Sequence, residues 1–240
     1  SSYDLAGYSV SGIGDFNGDG FDDVIIGAPN VASNTGVSYV IFGKPNNFNN
    51  INLVNLTLTD GFSITGEGSF NYFGNSVNSA GDINGDGYAD IIIGAYGALE
   101  SFYKGKSYVV FGKANGFNNI NIASLSLAQG FYTTGASSND RSGFSVSGAG
   151  DFNGDGYDDI IVGAYQASPS SRTNAGSVYI IFNSAATASP TSAPTTCPTT
   201  KPTLSPTNSP TTKPTSSRHA RPTRSPVDVH DVNLSSLSFN

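Results

Sequence analysis

The chain has few of the residues on which enzymes and disulfide-rich proteins depend. Its 240 residues include two histidines, one cysteine, and no methionine or tryptophan. The single cysteine, Cys197, excludes an intrachain disulfide framework and is either a free thiol or an intermolecular partner. The histidines, His219 and His230, lie in the last quarter of the chain, so no Ser-His-Asp triad or zinc-ligand cluster can form in the rest. We therefore expect no enzyme, and the missing methionine indicates a processed or cloned start at Ser1.

Long apolar runs and positive charge are also scarce. No apolar run approaches the roughly 18 residues of a membrane span. Residues 1–186 carry 6 Lys or Arg against 16 Asp or Glu, a balance of −10, whereas residues 187–240 carry 5 against 2, a balance of +3. So acidic a surface argues against nucleic acid as a partner. The basic C-terminal part could instead contact the acidic body of a neighbouring molecule.

An acidic loop of nine residues occurs three times. It spans residues 15–23, 82–90 and 151–159, and each copy precedes a short run of Ile, Val, Gly and Ala. Asp occupies loop positions 1, 5 and 9, Asn occupies position 3, and Gly occupies positions 4 and 6, where a left-handed backbone turns the oxygens inward. Such an oxygen-rich loop suits a hard cation, Ca²⁺ before Mg²⁺.

The spacing also decides which kind of calcium loop is present. An EF-hand requires Glu at position 12 and flanking helices, but position 12 is Ile26, Ile93 or Val162 inside a predicted strand. A solvated turn is the alternative for one such loop, and three copies in one register argue against it. Position 8 carries Asp22 and Asp158 but Ala89 in the middle copy, so we expect these aspartates to be exposed charges and not ligands. The predicted ligands are four side chains and the position-7 carbonyl of each loop: Asp15, Asn17, Asp19, Asp23 and Phe21; Asp82, Asn84, Asp86, Asp90 and Tyr88; Asp151, Asn153, Asp155, Asp159 and Tyr157.

The loops anchor repeats of 67 and 69 residues that contain short strands and no convincing helix. In the first repeat the predicted strands span residues 7–11, 24–28, 37–42 and 61–65. The second repeat has equivalents of all four, and the third has equivalents of the first three. Four short strands per repeat are typical of a propeller blade. The predicted fold class is therefore all-β, with three four-stranded propeller-type blades.

The repeats resemble the FG-GAP repeats of the integrin alpha-subunit β-propeller and of related surface proteins. The resemblance rests on Phe73-Gly74, on Gly-Asp-x-Asn-Gly-Asp-Gly-x-x-Asp-x-x-x-Gly-Ala in each copy, and on Tyr-Val-x-Phe-Gly at residues 39–43, and it covers residues 1 to about 183. It implies a four-stranded blade with Ca²⁺ in the loop between its first two strands. The chain departs from the family in copy number, because integrin-like propellers close with seven blades and three are present here.

A Pro/Thr-rich tract follows the repeats. From Pro190 to Pro214 a proline recurs every fourth residue, each followed by Thr. This composition favours extended polyproline II, and about 40 residues at ~3.1 Å each would span on the order of 120 Å. The hydroxyls would then face every side, as an O-glycosylated stalk requires, and a flexible linker is the alternative. Asn55 and Asn233 also begin N-glycosylation sequons.

The last residues resemble part of a repeat. Residues 233–239 align with residues 121–127 and 52–58, which precede the fourth strand of the complete repeats. We interpret the segment as a displaced continuation of the third repeat that a neighbouring subunit could receive, and coincidence is the alternative. The predicted domains are residues 1–186 with repeats of about 1–68, 69–137 and 138–186, then the tract 187–226, then the segment 227–240.

These features predict a calcium-stabilised protein of the extracellular space or cell surface, with Ca²⁺ at three sites and no organic cofactor. The first hypothesis is the repeating subunit of a glycosylated surface fibre assembled head to tail, because an isolated binding module does not need an unfinished repeat on a long tether. The alternative is an integrin-like adhesion module that binds a protein or glycan. A third possibility is an accessory module of a hydrolase. Expected partners are thus further copies of the chain, a protein or glycan ligand, and O-glycans on the tract.

Overall fold

The fold is all-β, as predicted. The computed structural model describes residues 3–45, 50–98, 103–169 and 172–183. The Pro/Thr tract, the segment 227–240, Cys197 and both histidines lie outside these described residues. The strands are β1 Ser9–Gly14, β2 Asp23–Ala28, β3 Val37–Ile41, β4 Gly61–Thr65, β5 Val77–Gly81, β6 Asp90–Ala95, β7 Lys106–Val110, β8 Ile120–Asn121, β9 Gly130–Thr134, β10 Ser142–Gly150, β11 Asp159–Ala164 and β12 Ser177–Ile181.

Helical structure in the described residues is limited to single turns. These are α1 at Val31–Asn34 and 3₁₀ turns at Leu53–Asn55 and Ile122–Ser124. Within α1, Ala32 and Ser33 have left-handed φ values of 50° and 58°, so this element is a tight turn between strands. No helix in the described part of the chain is long and apolar enough to cross a membrane.

The strands form three sheets, one for each repeat, which we call the first, second and third blades. The first has the order β1-β2-β3-β4 and the second β5-β6-β7-β9, all antiparallel, and the third contains β10-β11-β12. Four-stranded blades are thus confirmed for the first two repeats. The short strand β8 belongs to the second repeat but pairs in parallel with β4, with Ile64 opposite Ile120. This pairing links neighbouring blades.

The first strand of the first blade begins and ends later than predicted. The alternation of residues predicts a strand at 7–11, whereas β1 continues to Gly14 and pairs with β2 along its length. Gly7 has a φ of 88° and Gly14 a φ of 69°. These left-handed conformations favour glycine and produce a turn before the strand and an irregularity in register at its end. The glycines therefore mark the true limits of the strand.

The core lies between adjacent blades. Phe62 of the first blade and Ile91 of the second share one buried cluster, and Val109 and Ile160 share another between the second and third blades. Phe117 of the second blade places its ring 5.2 Å from that of Phe62. Since each blade covers the apolar face of its neighbour, the blades are stabilised as an array and not one by one.

The same hydrogen bond recurs at both junctions between blades. The Ser9 hydroxyl accepts the backbone amide of Val77 at 3.0 Å, and the Ser76 hydroxyl accepts that of Val146 at 3.1 Å. Both bonds join consecutive blades at equivalent positions of the repeat, from a serine at the start of one first strand to a valine of the next. Each blade is therefore placed on its predecessor in the same way.

Candidate functional site

The three acidic loops join the first and second strands of their blades, where the family resemblance places them. They connect β1 to β2, β5 to β6 and β10 to β11. Gly18 and Gly20 have φ values of 74° and 90°, and the equivalent glycines of the other loops have values between 69° and 94°. This is the left-handed conformation expected at positions 4 and 6. The glycine pattern therefore folds all three loops alike.

Side chains at positions 1, 3 and 5 are brought together by the backbone of the loop. Asp15 accepts the amides of Asp19 and Gly20, both at 3.0 Å, and Asn17 accepts that of Asp19 at 2.9 Å. Asp19 accepts the amide of Phe21 at 2.9 Å and the side-chain amide of Asn17 at 3.0 Å. The other two loops repeat each of these bonds at 2.9 to 3.0 Å. These positions, which are half-buried or exposed, thus form one compact polar rim.

The aspartate at position 9 is buried and connects two parts of its blade. One oxygen of Asp23 accepts the amides of Phe16 at 2.9 Å and Asn17 at 3.2 Å, and the other accepts the amide of Gly43, just after β3, at 2.7 Å. In the other loops the bond to the residue after the third strand measures 2.8 and 2.9 Å. The sequence predicts ligation at this position but gives no sign of the structural bond, because its partner lies far along the chain.

Burial raises the pKa of the carboxyl groups at position 9. Desolvation raises the pKa of Asp90 to about 8 and that of Asp23 to about 6, although backbone amides that bond the charged form act in the opposite direction. Repulsion from Asp86 and Asp82 adds to the rise at Asp90. Desolvation also raises the pKa of Asp82 and of Asp159. Negative charge is crowded in the loops, and a cation there would favour the ionised carboxylates.

The chemistry of the loops fits a hard divalent cation. Each loop offers only oxygen ligands: three carboxylates, a side-chain amide oxygen and backbone carbonyls, which is the set that Ca²⁺ prefers. In the conformation described, many of these oxygens accept backbone amides. Within the described ranges, no group of three or more Asp, Glu, His or Cys side chains is arranged to hold a metal ion. Calcium binding by the predicted ligands therefore stays a prediction.

Position 8 of the third loop contacts the preceding blade. Asp158, expected to be an exposed charge, is half-buried and accepts the backbone amide of Asp82 at 2.8 Å. That expectation was wrong because the side chain reaches across the junction, which the sequence of a single repeat does not reveal. The equivalent Asp22 of the first loop is exposed, as expected.

Aromatic side chains form a row across the second and third blades. Tyr72 stacks on Tyr96 with ring centroids 4.9 Å apart and planes inclined by 9°. Phe144 lies 5.4 Å from Tyr96 and 4.3 Å from Tyr165. Because adjacent strands are antiparallel, the connections that follow the second strands lie at the end of the sheets opposite to the acidic loops. We call these four residues the aromatic row.

A cation sits against the aromatic row. The guanidinium carbon of Arg141 lies 5.8 Å from the ring centroid of Tyr96, 5.5 Å from that of Tyr103 and 5.9 Å from that of Tyr165, distances suited to cation–π attraction. Arg141 also donates to the Tyr165 hydroxyl at 3.0 Å. Sequence reasoning missed this cluster, because its members lie in connections of variable length and share no repeated pattern.

Comparison with known proteins agrees with the repeat structure. A family profile described as "FG-GAP repeat" matches residues 6–41, 73–110 and 142–181. The chain is 32% identical over 184 residues to integrin alpha-V of Gallus gallus, which covers 75% of this chain and 15% of the relative. It is 33% identical over 172 residues to integrin alpha-8 of Gallus gallus (67% and 15%) and 31% identical over 163 residues to integrin alpha-6 of Homo sapiens (66% and 12%). The chain thus spans 15% or less of these relatives.

Proposed function

We propose that the chain is a non-enzymatic adhesion module that binds a protein or glycan. The premise is that it is built from three FG-GAP repeats related to those of integrin alpha subunits. The observation that carries this proposal is the aromatic row with Arg141. Aromatic faces offer rigid apolar contact area, and a guanidinium pairs with carboxylates in fixed geometry. The best match is therefore a ligand that carries a carboxylate beside an apolar face.

Binding measurements on the full chain test this function. The probes are oligosaccharides and peptides in matched acidic and neutral forms, immobilised and presented in calcium. We expect acidic probes to bind and both Arg141→Gln and Tyr96→Ala to weaken that binding. Lys113→Gln is the control, because it removes a positive charge away from the row. Binding that none of these substitutions changes would reject the row as the site.

We further propose an extracellular or cell-surface location, with Ca²⁺ held by the predicted ligands of the three loops. The calcium would stabilise the blades, because ions that bind only the folded state add their binding free energy to folding. O-glycans on the threonines of residues 187–226 are part of the same proposal. We expect the intact mass of native protein to exceed the 24.8 kDa of the polypeptide, and a mass equal to it would exclude the glycans.

A second candidate function, the subunit of a head-to-tail fibre, is favoured by the pairing of β8 with β4. In this pairing a segment of the second repeat extends the first blade, and Asn119 accepts the backbone amide of Ser63 at 3.0 Å. In the second blade the strand equivalent to β4 is β9, and its Tyr132 is exposed. Residues 233–239 align with the segment that starts at Asn121, so they could extend β9 of a neighbouring copy in the manner of β-augmentation.

Deletion of residues 227–240 tests the fibre hypothesis. Electron microscopy of the native material should show filaments, and the truncated chain should remain folded but lose them. Filaments that persist without residues 227–240 would reject donation of this segment. A truncated chain that still binds acidic probes would show that the adhesion function is separate.

A further inference from the structure

One end of the blade array exposes a surface that is buried wherever two blades meet inside it. Val77 and Val146 are 3% and 5% exposed because the preceding blade covers them, whereas the equivalent Val10 is 65% exposed. Val24 is also exposed, although its counterparts in the other blades are fully buried. We call the surface formed by Val10 and Val24 the leading face.

The other end of the array shows the complementary pattern. Phe16 and Ile83 are 0% and 2% exposed under the following blade, whereas the equivalent Phe152 is 59% exposed. The ring of Phe152 lies 6.3 Å from that of Phe182, which is also exposed. Together with Val178 these residues form the trailing face. Apolar surface exposed in contiguous patches marks sites of interaction.

Glycines at the trailing face leave room for another blade. Gly27 and Gly94 lie so close to the following blade that a Cβ would collide with one of its backbone carbonyl oxygens. Gly163 is the equivalent residue of the third blade, yet the atoms nearest to its Cβ position belong to Ser145 of its own blade, at 3.5 Å. No contact within the described part of the chain requires glycine there. A Cβ on Gly36 or Gly105 would likewise collide with a backbone carbonyl oxygen of the following blade. The equivalent Gly176, at the trailing face, has no such collision.

The hydrogen bonds of the junctions define the position of the next blade. Ser9 and Ser76 each accept the amide of a valine in the following blade. Ser145 is the equivalent hydroxyl on the trailing face, and the amide of Val10 is the equivalent donor on the leading face. A groove of about 320 Å³, whose lining includes Ser145, Gly163, Gly176 and Val178, occupies the place where a fourth blade would pack.

We propose that the leading face of one chain docks on the trailing face of a second copy. The docked blade would continue the array with the same contacts that join blades within the chain. The backbone amide of Val10 would donate to the Ser145 hydroxyl of the second copy. The Asp22 carboxylate would accept the backbone amide of Asp151 of that copy, just as Asp158 accepts that of Asp82 within the chain. The first blade of a second copy has the features that match the trailing face, an exposed Val10 and an exposed Val24, so a second copy can supply the next blade.

The contact is heterologous, because it uses different surfaces on the two partners. It closes into a ring if the rotation between blades permits and forms a filament if it does not. Two chains contribute six blades, which lies within the four to eight of closed propellers. The proposal goes beyond the adhesion function, and its interface lies in the blades themselves and needs no donation of residues 227–240.

Light scattering of the full chain in calcium, over a wide range of concentrations, tests the docking. We expect the molar mass to rise in whole multiples of the mass of one chain, which is 24.8 kDa for the unmodified polypeptide. Gly163→Ala should give monomers, because its methyl group meets no atom of its own blade closely but would meet the carbonyl oxygen of the second copy. Val10→Asp should also give monomers, because it places a charge in the apolar contact. Neither variant should lower the unfolding temperature of the monomer.

Val54→Asp is the matched control. Val54 is even more exposed than Val10, but its counterpart Ala123 stays exposed at the junction inside the array, so this variant should assemble like the wild type. A wild-type chain that is monomeric at every concentration, or Gly163→Ala and Val10→Asp variants that assemble normally, would overturn the proposal. A monomer that still binds acidic probes through Arg141 would reject the docking and leave the adhesion function standing.

Discussion

The predicted calcium ligands of the acidic loops also make structural hydrogen bonds to the backbone. The position-9 aspartate ties the start of its loop to the end of the third strand through three backbone amides, as Asp23 does with Phe16, Asn17 and Gly43. These bonds are internal to the blade and need no ion. Positions 1, 3 and 5 lie on the polar rim, where each is half-buried or exposed and a cation could approach. The two classes of aspartate should therefore respond differently to calcium.

A pair of substitutions in the middle loop separates calcium ligation from structural hydrogen bonding. Asp90→Ala leaves buried amides without an acceptor, so we expect a loss of about 3 kcal/mol or more, with calcium present or chelated. Asp86→Ala removes a predicted ligand from the rim and should destabilise the protein only when calcium is present. Denaturant unfolding of both variants in calcium and in EGTA measures the difference.

Asp22→Ala is the control for these variants, because it removes an exposed loop carboxylate that is not a predicted ligand. It should leave the free energy of unfolding of the monomer unchanged under both conditions. An Asp86→Ala variant that is equally destabilised in EGTA would show that this aspartate has an architectural duty as well.

Secondary-structure elements were predictable to the extent that the sequence signals them locally. Strands β2, β6 and β11 follow the acidic loops as β-branched runs, and the predicted fourth strands coincide with β4 and β9. The limits of β1 were wrong because the flanking glycines belong to a turn and a bulge. The pairing of β8 with β4, and the aromatic row, depend on the placement of one repeat against the next, which the sequence of one repeat does not specify.

An ion pair between elements of two blades offers a test of the first junction. Lys106 in β7 is buried and bonds Glu67, just after β4, at 2.7 and 3.0 Å. Glu67→Gln should cost about 3 kcal/mol, because it leaves an ammonium group buried without its partner. The double variant with Lys106→Met should recover much of that loss, and a double-mutant cycle measures the coupling.

The half-exposed ion pair of Lys44 with Asp60, 2.6 Å apart within the first blade, is the comparison. Asp60→Asn should change stability far less, because water and salt reach this pair and screen it. Equal losses from Glu67→Gln and Asp60→Asn would mean that the buried pair does not stabilise the junction.

At the scale of the whole molecule, the described residues form a short array of blades with two chemically different edges. One edge carries the three acidic loops, and the opposite edge carries the aromatic row and Arg141. Each blade covers the next through recurring contacts, so stability is expected to spread along the array from neighbour to neighbour. Calcium at one edge would hold the blades in shape while the other edge binds a ligand and the end faces meet further copies.

Calorimetric titration of the full chain with Ca²⁺, combined with its unfolding temperature, tests most directly whether ions hold the blades together. We expect three ions to bind per chain and the unfolding temperature to rise with calcium, since a site filled at about 100 times its dissociation constant adds ~2.7 kcal/mol. Excess EGTA should lower the unfolding temperature by many degrees. No detectable binding, together with an unfolding curve that EGTA leaves unchanged, would contradict the account.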